Sequence, residues 1–214
     1  MLGRREDGYH ELQTVFRLVE RADEVGIAVR EDGEVRFSGA FGEDNLCVRA
    51  ARLLQRESRT RLGCDLELRK ILPVGGGMGG GSSDAATTLV VLNRLWNLEL
   101  APQALLHFGR QLGADVPFFV FGRNALGEGV GERLSALELP PAWYLVLTPQ
   151  VQVSTKEIFA DASLTRDTKR LKIPPFLSGQ GRNDLEAVVA ARYPDVKAHL
   201  DWLAKRVPGA RMTG

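Results

Sequence analysis

Gly75-Gly76-Gly77-Met78-Gly79-Gly80-Gly81-Ser82-Ser83-Asp84 is the stretch on which the reading of this chain turns. Six of its ten residues are glycine. An alternating apolar segment ends just before it, and a helical apolar stripe starts just after it. A glycine-rich turn that feeds a helix start aims backbone N–H groups at a common point, and the positive end of the helix dipole adds to the attraction for an anion. A phosphate-handling enzyme is the first expectation.

The flanks extend that reading. Leu66-Glu67-Leu68-Arg69-Lys70-Ile71-Leu72 alternates as a half-buried strand and stops at Pro73. Beyond the glycines, Ala85, Leu89, Leu92 and Trp96, with Leu95 beside them, form a helical stripe of about four turns. Upstream, Val15, Phe16 and Leu18, then Val25 to Val29, then Val35 to Phe37 predict two or three antiparallel strands. Asp32-Gly33 is the hairpin signal between the last two. Asp44 or Asn45 caps a helix over residues 46–57, with Leu46, Ala50, Leu53 and Leu54 on one face.

Downstream, Pro102 sits at a first helical position, Leu105, Leu106 and Leu112 carry the helix, and Gly113 is its C′ residue. Asp115-Val116-Pro117 connects tightly into the apolar run Phe118-Phe119-Val120-Phe121. Leu139-Pro140-Pro141 reads as a domain linker and Trp143 to Leu147 as a buried strand. Ser154-x-x-Glu157 is a capping box for a short helix with Ile158 and Phe159. Residues 165–182 read as loop, with Pro174-Pro175 and Gly179-Gln180-Gly181. Asn183 caps a helix through Ala191, and Pro194 opens another to about Arg206. The pattern predicts an α+β protein in two domains, residues 1–139 and 140–214.

Composition narrows the function classes. The 214 residues carry a formal net charge of +1, which gives no bulk electrostatic case for nucleic acid or an anionic membrane. No apolar stretch reaches the roughly 18 residues of a membrane span, and the first residues lack a secretory apolar core. Cys47 and Cys64 have neither metal-ligand spacing nor partners for a disulfide framework, so reduced thiols and a cytoplasmic location are expected. No coiled-coil pattern or large apolar face assigns an oligomeric state.

Three other readings of the glycine run fit less well. A linker would join domains through polar surroundings, whereas this run joins a strand to a helix. Gly75-x-Gly77-x-x-Gly80 matches a dinucleotide fingerprint, which needs an acidic residue at a strand end about 20 residues on; Glu99 instead closes a helix. A Walker A loop ends in Gly-Lys-Ser/Thr, and Gly81 is followed by Ser82 and Ser83. A non-Walker phosphate loop remains, with the Ser82 and Ser83 hydroxyls available to phosphate or hydrated Mg²⁺.

Pro73-x-Gly-Gly-Gly-Met-Gly-Gly-Gly-Ser-Ser-Asp-Ala-Ala resembles the second motif of the GHMP small-molecule kinases. The doubled triple glycine is similar to the branch that phosphorylates 4-diphosphocytidyl-2-C-methyl-D-erythritol in non-mevalonate isoprenoid biosynthesis. Arg5-Glu6-Asp7-Gly8-Tyr9-His10-Glu11-Leu12-Gln13-Thr14-Val15-Phe16, Glu43-Asp44-Asn45-Leu46, Leu112-Gly113-Ala114-Asp115-Val116-Pro117-Phe118-Phe119 and Glu128-Gly129-Val130-Gly131-Glu132 resemble that branch too.

The resemblance implies a two-lobed fold, ATP as phosphoryl donor and the cytidine-diphosphate-linked methylerythritol as acceptor, phosphorylated on its 2-hydroxyl. It implies Mg²⁺, with no protein carboxylate singled out for it. It makes Asp115 the catalytic aspartate, whereas read alone this residue is a turn or cap. Pro73, Val74, Gly75, Gly76, Gly77, Met78, Gly79, Gly80, Gly81, Ser82 and Ser83 would hold ATP, with Asn45 and Leu46 near its adenine. Tyr9 and His10 would belong to a cytidine pocket, Phe159 would stack on the base, and Thr155 would lie nearby. His107 and His199 read as structural or solvated, and Lys70 and Lys156 as solvated charges.

The chain departs from the family at both ends. Relatives begin with a strand carrying Pro-x-Lys-x-Asn, which residues 1–10 do not match, and Arg211-Met212-Thr213-Gly214 resembles only the opening of a third motif. A chain lacking its first strand and the later part of its second domain is therefore expected, with impaired catalysis and marginal stability. Rival readings are a homoserine or mevalonate kinase, against which the doubled glycines and Gly8-Tyr9-His10 argue, and a non-catalytic nucleotide-binding module.

Overall fold

The backbone of Glu34 crosses directly over Gly63, and this crossing sets the arrangement of one of the two sheets. The computed structural model describes residues 1–6, 8–39, 42–173, 176 and 181–213. Asp7, Pro174-Pro175, Gly179-Gln180 and Gly214 from the motifs and loop read above lie outside the described residues.

Among the described residues, seven strands form two sheets. Strands β1 (Gly3–Arg4), β2 (His10–Phe16), β6 (Ala125–Gly129) and β7 (Arg133–Ala136) make an antiparallel sheet in the order β1-β2-β6-β7. Strands β3 (Glu24–Arg30), β4 (Val35–Gly39) and β5 (Gly63–Arg69) make the other, in the order β3-β5-β4.

The hairpin expected at Asp32-Gly33 does not form. The chain does turn there, with Gly33 at φ 76°, but β5 inserts between β3 and β4. It pairs antiparallel with β3 and parallel with β4. The turn must therefore clear the start of β5. A Cβ on Gly63 would overlap the Glu34 carbonyl oxygen and lie 2.6 Å from the Glu34 nitrogen. That same carbonyl accepts a hydrogen bond from the Cys64 N–H at 2.9 Å. Local turn chemistry could not reveal the insertion, because it depends on a strand 30 residues away.

Helix α1 (Leu46–Ser58) starts where the Asn45 side chain accepts the Cys47 N–H at 2.8 Å. It buries Val48, Ala50, Ala51, Leu53 and Leu54. Helix α2 (Gly80–Leu95) buries Ala85, Ala86, Leu89 and Leu92 against them, so the two apolar stripes share one core with Leu66 and Leu68 of β5. Trp96 closes α2 and donates its indole N–H to the Gly63 carbonyl at 3.1 Å, tying the helix end to the start of β5.

Helix α3 (Pro102–Leu112) has proline in its first turn as expected. Its cap Gly113 takes an extended conformation, φ 173°, rather than the left-handed C′ form. The run after Asp115 is a short helix, α4 (Val116–Phe121), and Phe118 stacks on Phe16 of β2 with ring centroids 4.7 Å apart.

A second core gathers Ile158 of α5 (Thr155–Ala160), Leu164, Val188 and Val189 of α6 (Glu186–Arg192) and Val196 of α7 (Pro194–Ala204). Met1 is buried in it and Leu12 packs against it. Ser154 acts as expected, accepting from the Glu157 N–H group. Asn183 accepts from the Leu185 N–H, but it is not the cap: α6 starts at Glu186 with Leu185 at the cap position and no side-chain capping bond.

The strand expected over Trp143 to Leu147 is absent. Trp143 is fully exposed, and Tyr144, Leu145 and Val146 are exposed too. An apolar run becomes a strand only beside a free ladder edge, and none of the described strands pairs with this segment. It is held from outside: Arg17 donates to the Pro140 carbonyl at 2.6 Å and lies over the Tyr144 ring. The strand read at Leu66–Leu72 begins and ends three residues earlier, at Gly63–Arg69.

Gly63→Ala should lower stability by about 1–3 kcal/mol through overpacking, read as a shift in the urea midpoint at constant slope. Gly26→Ala is the control. Its Cβ would meet Glu67 at an ordinary 3.5 Å, so its midpoint should stay near that of the unsubstituted chain.

Candidate active site

The loop from Pro73 to Gly79 carries left-handed backbone at every second residue: Gly75 at φ 73°, Gly77 at 68° and Gly79 at 69°. Gly76 and Met78, between them, lie outside that region. Alternation of this kind is the backbone pattern of anion-binding concavities, although the Gly76 N–H is already donated to the Pro73 carbonyl at 3.4 Å. Only glycine adopts that backbone without strain. Gly79 is also the N-cap of α2, and its carbonyl accepts the Ser83 N–H at 2.9 Å. Gly80 and Gly81 are already helical, so the loop proper is shorter than the glycine run.

A cleft of about 390 Å³ opens over this loop. Its lining brings together Pro73 to Ser82 with Asn45 and Leu46 at the start of α1, and with Leu68, Lys70 and Asp84. Ser83 is not part of the lining. The cleft volume falls in the range of small-molecule sites. A hollow of about 440 Å³ on the outer face of the β3-β5-β4 sheet, lined by Gly26, Phe37 and Asp65 among others, does not adjoin the loop.

Asp115 belongs to a segment that touches the start of α2 on both sides. A Cβ on Gly113 would lie 3.9 Å from the Ser82 hydroxyl, and one on Gly79 would lie 2.8 Å from the Phe119 ring. Asp115 is the N-cap position of α4, in right-handed helical backbone, and its side chain makes no capping bond. It keeps a face open to solvent, yet the protein crowding it raises its carboxyl above the usual aspartate range. Among the described residues, burial is the only influence on that shift, and no cation counters it.

Lys70 is not the solvated charge expected of it. It closes a buried triad with Asp23 and Asp84, with the Lys70, Asp23 and Asp84 side chains 17%, 1% and 5% exposed. The ammonium donates to Asp23 and, at 3.0 Å, to Asp84. The second oxygen of Asp23 accepts the N–H groups of Ile71 at 2.6 Å and Leu72 at 2.7 Å. Burial alone would raise the Asp23 pKa, but the bonds from Lys70, Leu72 and Ile71 outweigh it and hold the carboxyl low. Burial raises Asp84 against the pull of Lys70. Burial would also lower Lys70, and the two carboxylates reverse this. The sequence carried a signal for Lys70: it shares the alternation of Leu66, Leu68 and Leu72, all buried.

The residues expected around a cytidine gather elsewhere, where β2 meets α5. His10 and Phe159 face each other with ring centroids 5.1 Å apart. Arg166, missed in the sequence, donates from Nε to His10 Nε2 at 3.2 Å, and from its other nitrogens to the carbonyls of Leu164, Phe159 and Asp161. An arginine only donates, so His10 Nε2 accepts and the ring is neutral with its proton on Nδ1. Burial, then the charge of Arg166, lowers the His10 pKa. Tyr9 is 65% exposed, and Thr155 is exposed at the first turn of α5. His107 and Lys156 are exposed, and His199 contacts the Asp195 carbonyl of its own helix. Burial pushes both the Cys47 and Cys64 thiols to about 11, which disfavours thiolate chemistry.

Residues 45–123, from the α1 cap through α4, match the model of the GHMP kinases N terminal domain. The chain is 56% identical over 216 residues to a 4-diphosphocytidyl-2-C-methyl-D-erythritol kinase of Nitrosospira multiformis, covering 99% of this chain and 73% of that protein. It is 56% identical over 218 residues to the like-named kinase of Thiobacillus denitrificans, covering 100% of this chain and 78% of that one. A crystal structure of 4-(cytidine 5'-diphospho)-2C-methyl-D-erythritol kinase superposes on the whole chain with a TM-score of 0.86 at 34% identity, over 81% of its own length. A homoserine kinase from Cytophaga hutchinsonii shares the fold alone, at a TM-score of 0.51 and 20% identity over 77% of this chain and 56% of its own. With more than half of its residues identical over some three quarters of each relative's length, and its glycine loop inside the matched domain, the chain belongs to the 4-diphosphocytidyl-2-C-methyl-D-erythritol kinase family of GHMP kinases.

Proposed function

We propose that this chain binds ATP across the glycine loop and transfers its γ-phosphoryl group to the 2-hydroxyl of 4-diphosphocytidyl-2-C-methyl-D-erythritol. The observation that supports the reading is the packing of Gly113 and Phe119, which flank Asp115 in the chain, against the start of α2; Asp115 itself is not among the residues that line the cleft. Phosphoryl transfer asks mainly for positioning and charge stabilisation. The N–H groups of the loop and of the first α2 turn would bind phosphate oxygens, and Asn45 and Leu46 would border the adenine. Asp115 would orient the acceptor hydroxyl and take its proton as the new O–P bond forms. The bond to the β,γ-bridging oxygen breaks, and ADP leaves.

Mg²⁺ belongs to this proposal. The Ser82 and Ser83 hydroxyls are oxygen donors of the class it accepts, and the described residues contain no cluster of three acidic, His or Cys side chains to form a dedicated cage. Bound with the triphosphate, it would neutralise phosphate charge. His10 Nδ1–H would donate to an acceptor of the cytosine, Phe159 would stack on the base, and Tyr9 and Thr155 would border it. The division into residues 1–139 and 140–214 is proposed on the two cores, with Met1 and Leu12 of the first part crossing into the second core. A cytoplasmic setting is proposed on the two free buried cysteines, and no described helix is long and apolar enough to cross a membrane.

A second reading, nucleotide binding with weakened turnover, is favoured by the lack of a counter-charge for Asp115 among the described residues. Steady-state assay of ADP release with the cytidyl substrate, homoserine and mevalonate separates the readings. Turnover with the cytidyl substrate alone supports the first. Binding of ATP without turnover of any acceptor supports the second, and turnover of homoserine or mevalonate refutes the assignment of acceptor.

Asp115→Asn should lower kcat by about 10²–10⁴-fold while ATP still binds in a direct titration. In the unsubstituted protein the ionised carboxylate is the active form and its pKa is raised. Activity should therefore fall on acidification from a pH above the 3.8 of an ordinary aspartate.

Phe159→Ala should raise KM for the cytidyl substrate by about 10–100-fold, the scale of one lost base–aromatic stack, and leave KM for ATP unchanged. Because the neutral His10 ring is the binding form and its pKa lies below 6.5, that KM should stay flat as the pH falls to 6.5 and rise only below it.

A further inference from the structure

We infer that Asp23 is a positioning residue for the phosphate loop, acting through the Asp23–Lys70–Asp84 triad seated against the bare backbone of Gly80. The part that concerns ATP rests on reading the loop as a phosphate site. Asp23 lies just before β3, far in sequence from the loop, yet its carboxylate grips the chain at the loop's entry and, through Lys70, connects to its exit. One oxygen accepts from Ile71 and Leu72, the two residues that lead into Pro73. The other accepts from Lys70, which reaches across to Asp84, the fifth residue of α2. The loop of residues 73–79 is thus pinned at its entry by backbone bonds and at its exit by an ion pair.

Gly80 completes the device. Its φ is not left-handed, so backbone freedom does not explain it. Space does. A Cβ there would lie 3.0 Å from Asp23 Oδ2, 3.2 Å from Lys70 Nζ and 3.3 Å from Leu72 Cδ1. A Cβ at position 80 would be tighter than ordinary contact, so the triad side chains would have to give by a few tenths of an ångström. The glycines thus divide their work: positions 75, 77 and 79 supply left-handed backbone, and position 80 supplies contact with buried charge.

The two carboxylates also explain why this arrangement holds the loop in one place. Removing either partner of a buried pair leaves an uncompensated charge, so the triad tolerates little displacement. A phosphate site needs that rigidity, because a misplacement of about 1 Å can cost about a hundredfold in rate. Lys70 also lines the cleft, so its position affects both the loop and the cavity.

Two measurements on the whole chain test this. Hydrogen–deuterium exchange reads the loop without nucleotide. Asp23→Ala should speed exchange at residues 74–83 and leave α3 unchanged. Asp23→Asn keeps an oxygen for the Ile71 and Leu72 N–H groups but turns a donor toward Lys70, and should give a smaller, equally local effect. Gly80→Ala, which leaves all three charges in place, should loosen the same residues. Calorimetric titration with Mg-ATP should then show about ten- to a hundredfold weaker binding for Asp23→Ala, with binding of cytidine diphosphate unchanged. Unaltered loop exchange in all three variants overturns the inference. So does faster exchange throughout the chain, which would make Asp23 a general stability residue. If the loop loosens locally but the unsubstituted protein binds no ATP, the pinning stands and the phosphate reading falls.

Discussion

A helix can offer its first N–H groups to a ligand only if the preceding chain approaches without side chains in the way and without drifting. The site depends on that constraint. Left-handed backbone at Gly75, Gly77 and Gly79 meets the first half of it, and the Asp23–Lys70–Asp84 triad meets the second. The loop by itself is too glycine-rich to hold a shape, since glycine gives up the most freedom on ordering. Its order comes from its ends. One is fixed by β5 and the carboxylate of Asp23, and the other by α2, packed against α1.

The rest of the first core serves the same end. Asn45 caps α1 beside the cleft, so one side chain both satisfies a helix end and lines the cavity. Trp96 ties the far end of α2 to Gly63, the residue over which the β3–β4 connection passes. Strand insertion, helix direction and loop position are coupled through two glycines in tight places: Gly63, where backbone leaves no room for a Cβ, and Gly80, where a Cβ would crowd the triad side chains. The α3–α4 turn, which carries Asp115, is anchored near the same place by packing Phe119 on Gly79 and the Phe118 ring on Phe16. Crowding there raises the carboxylate's affinity for a proton, which suits the proton-accepting role proposed for it.

Much of this was legible in the residues. The glycine run, the Ser-Ser start of α2, the Asn45 cap, Pro102 and the Ser154 capping box each carry their meaning within a few positions. Local chemistry alone gives each its conformation. The motifs around Tyr9, His10 and Asp115 were legible only through their resemblance to a family. Lys70 was misread, although its place in the alternation of Leu66, Leu68 and Leu72 put it on the buried face. A lysine there needs buried carboxylates, and the nearest in space, Asp23, is 47 residues away. Trp143 to Leu147 was misread for the opposite reason: an apolar run implies burial only when something packs on it.

The sequence by itself determined most of the helices, the glycine loop, its exclusion from the Walker A class and the family, because these depend on short-range conformational preferences and contiguous motifs. Only the tertiary structure decided that β5 splits the β3–β4 pair, that Lys70 is buried between two aspartates, that Arg166 sets the His10 tautomer, and which glycine serves backbone and which serves space. Each of those depends on groups far apart in the chain meeting in a crowded interior, where desolvation forces every charge to find a partner and every backbone crossing to find room.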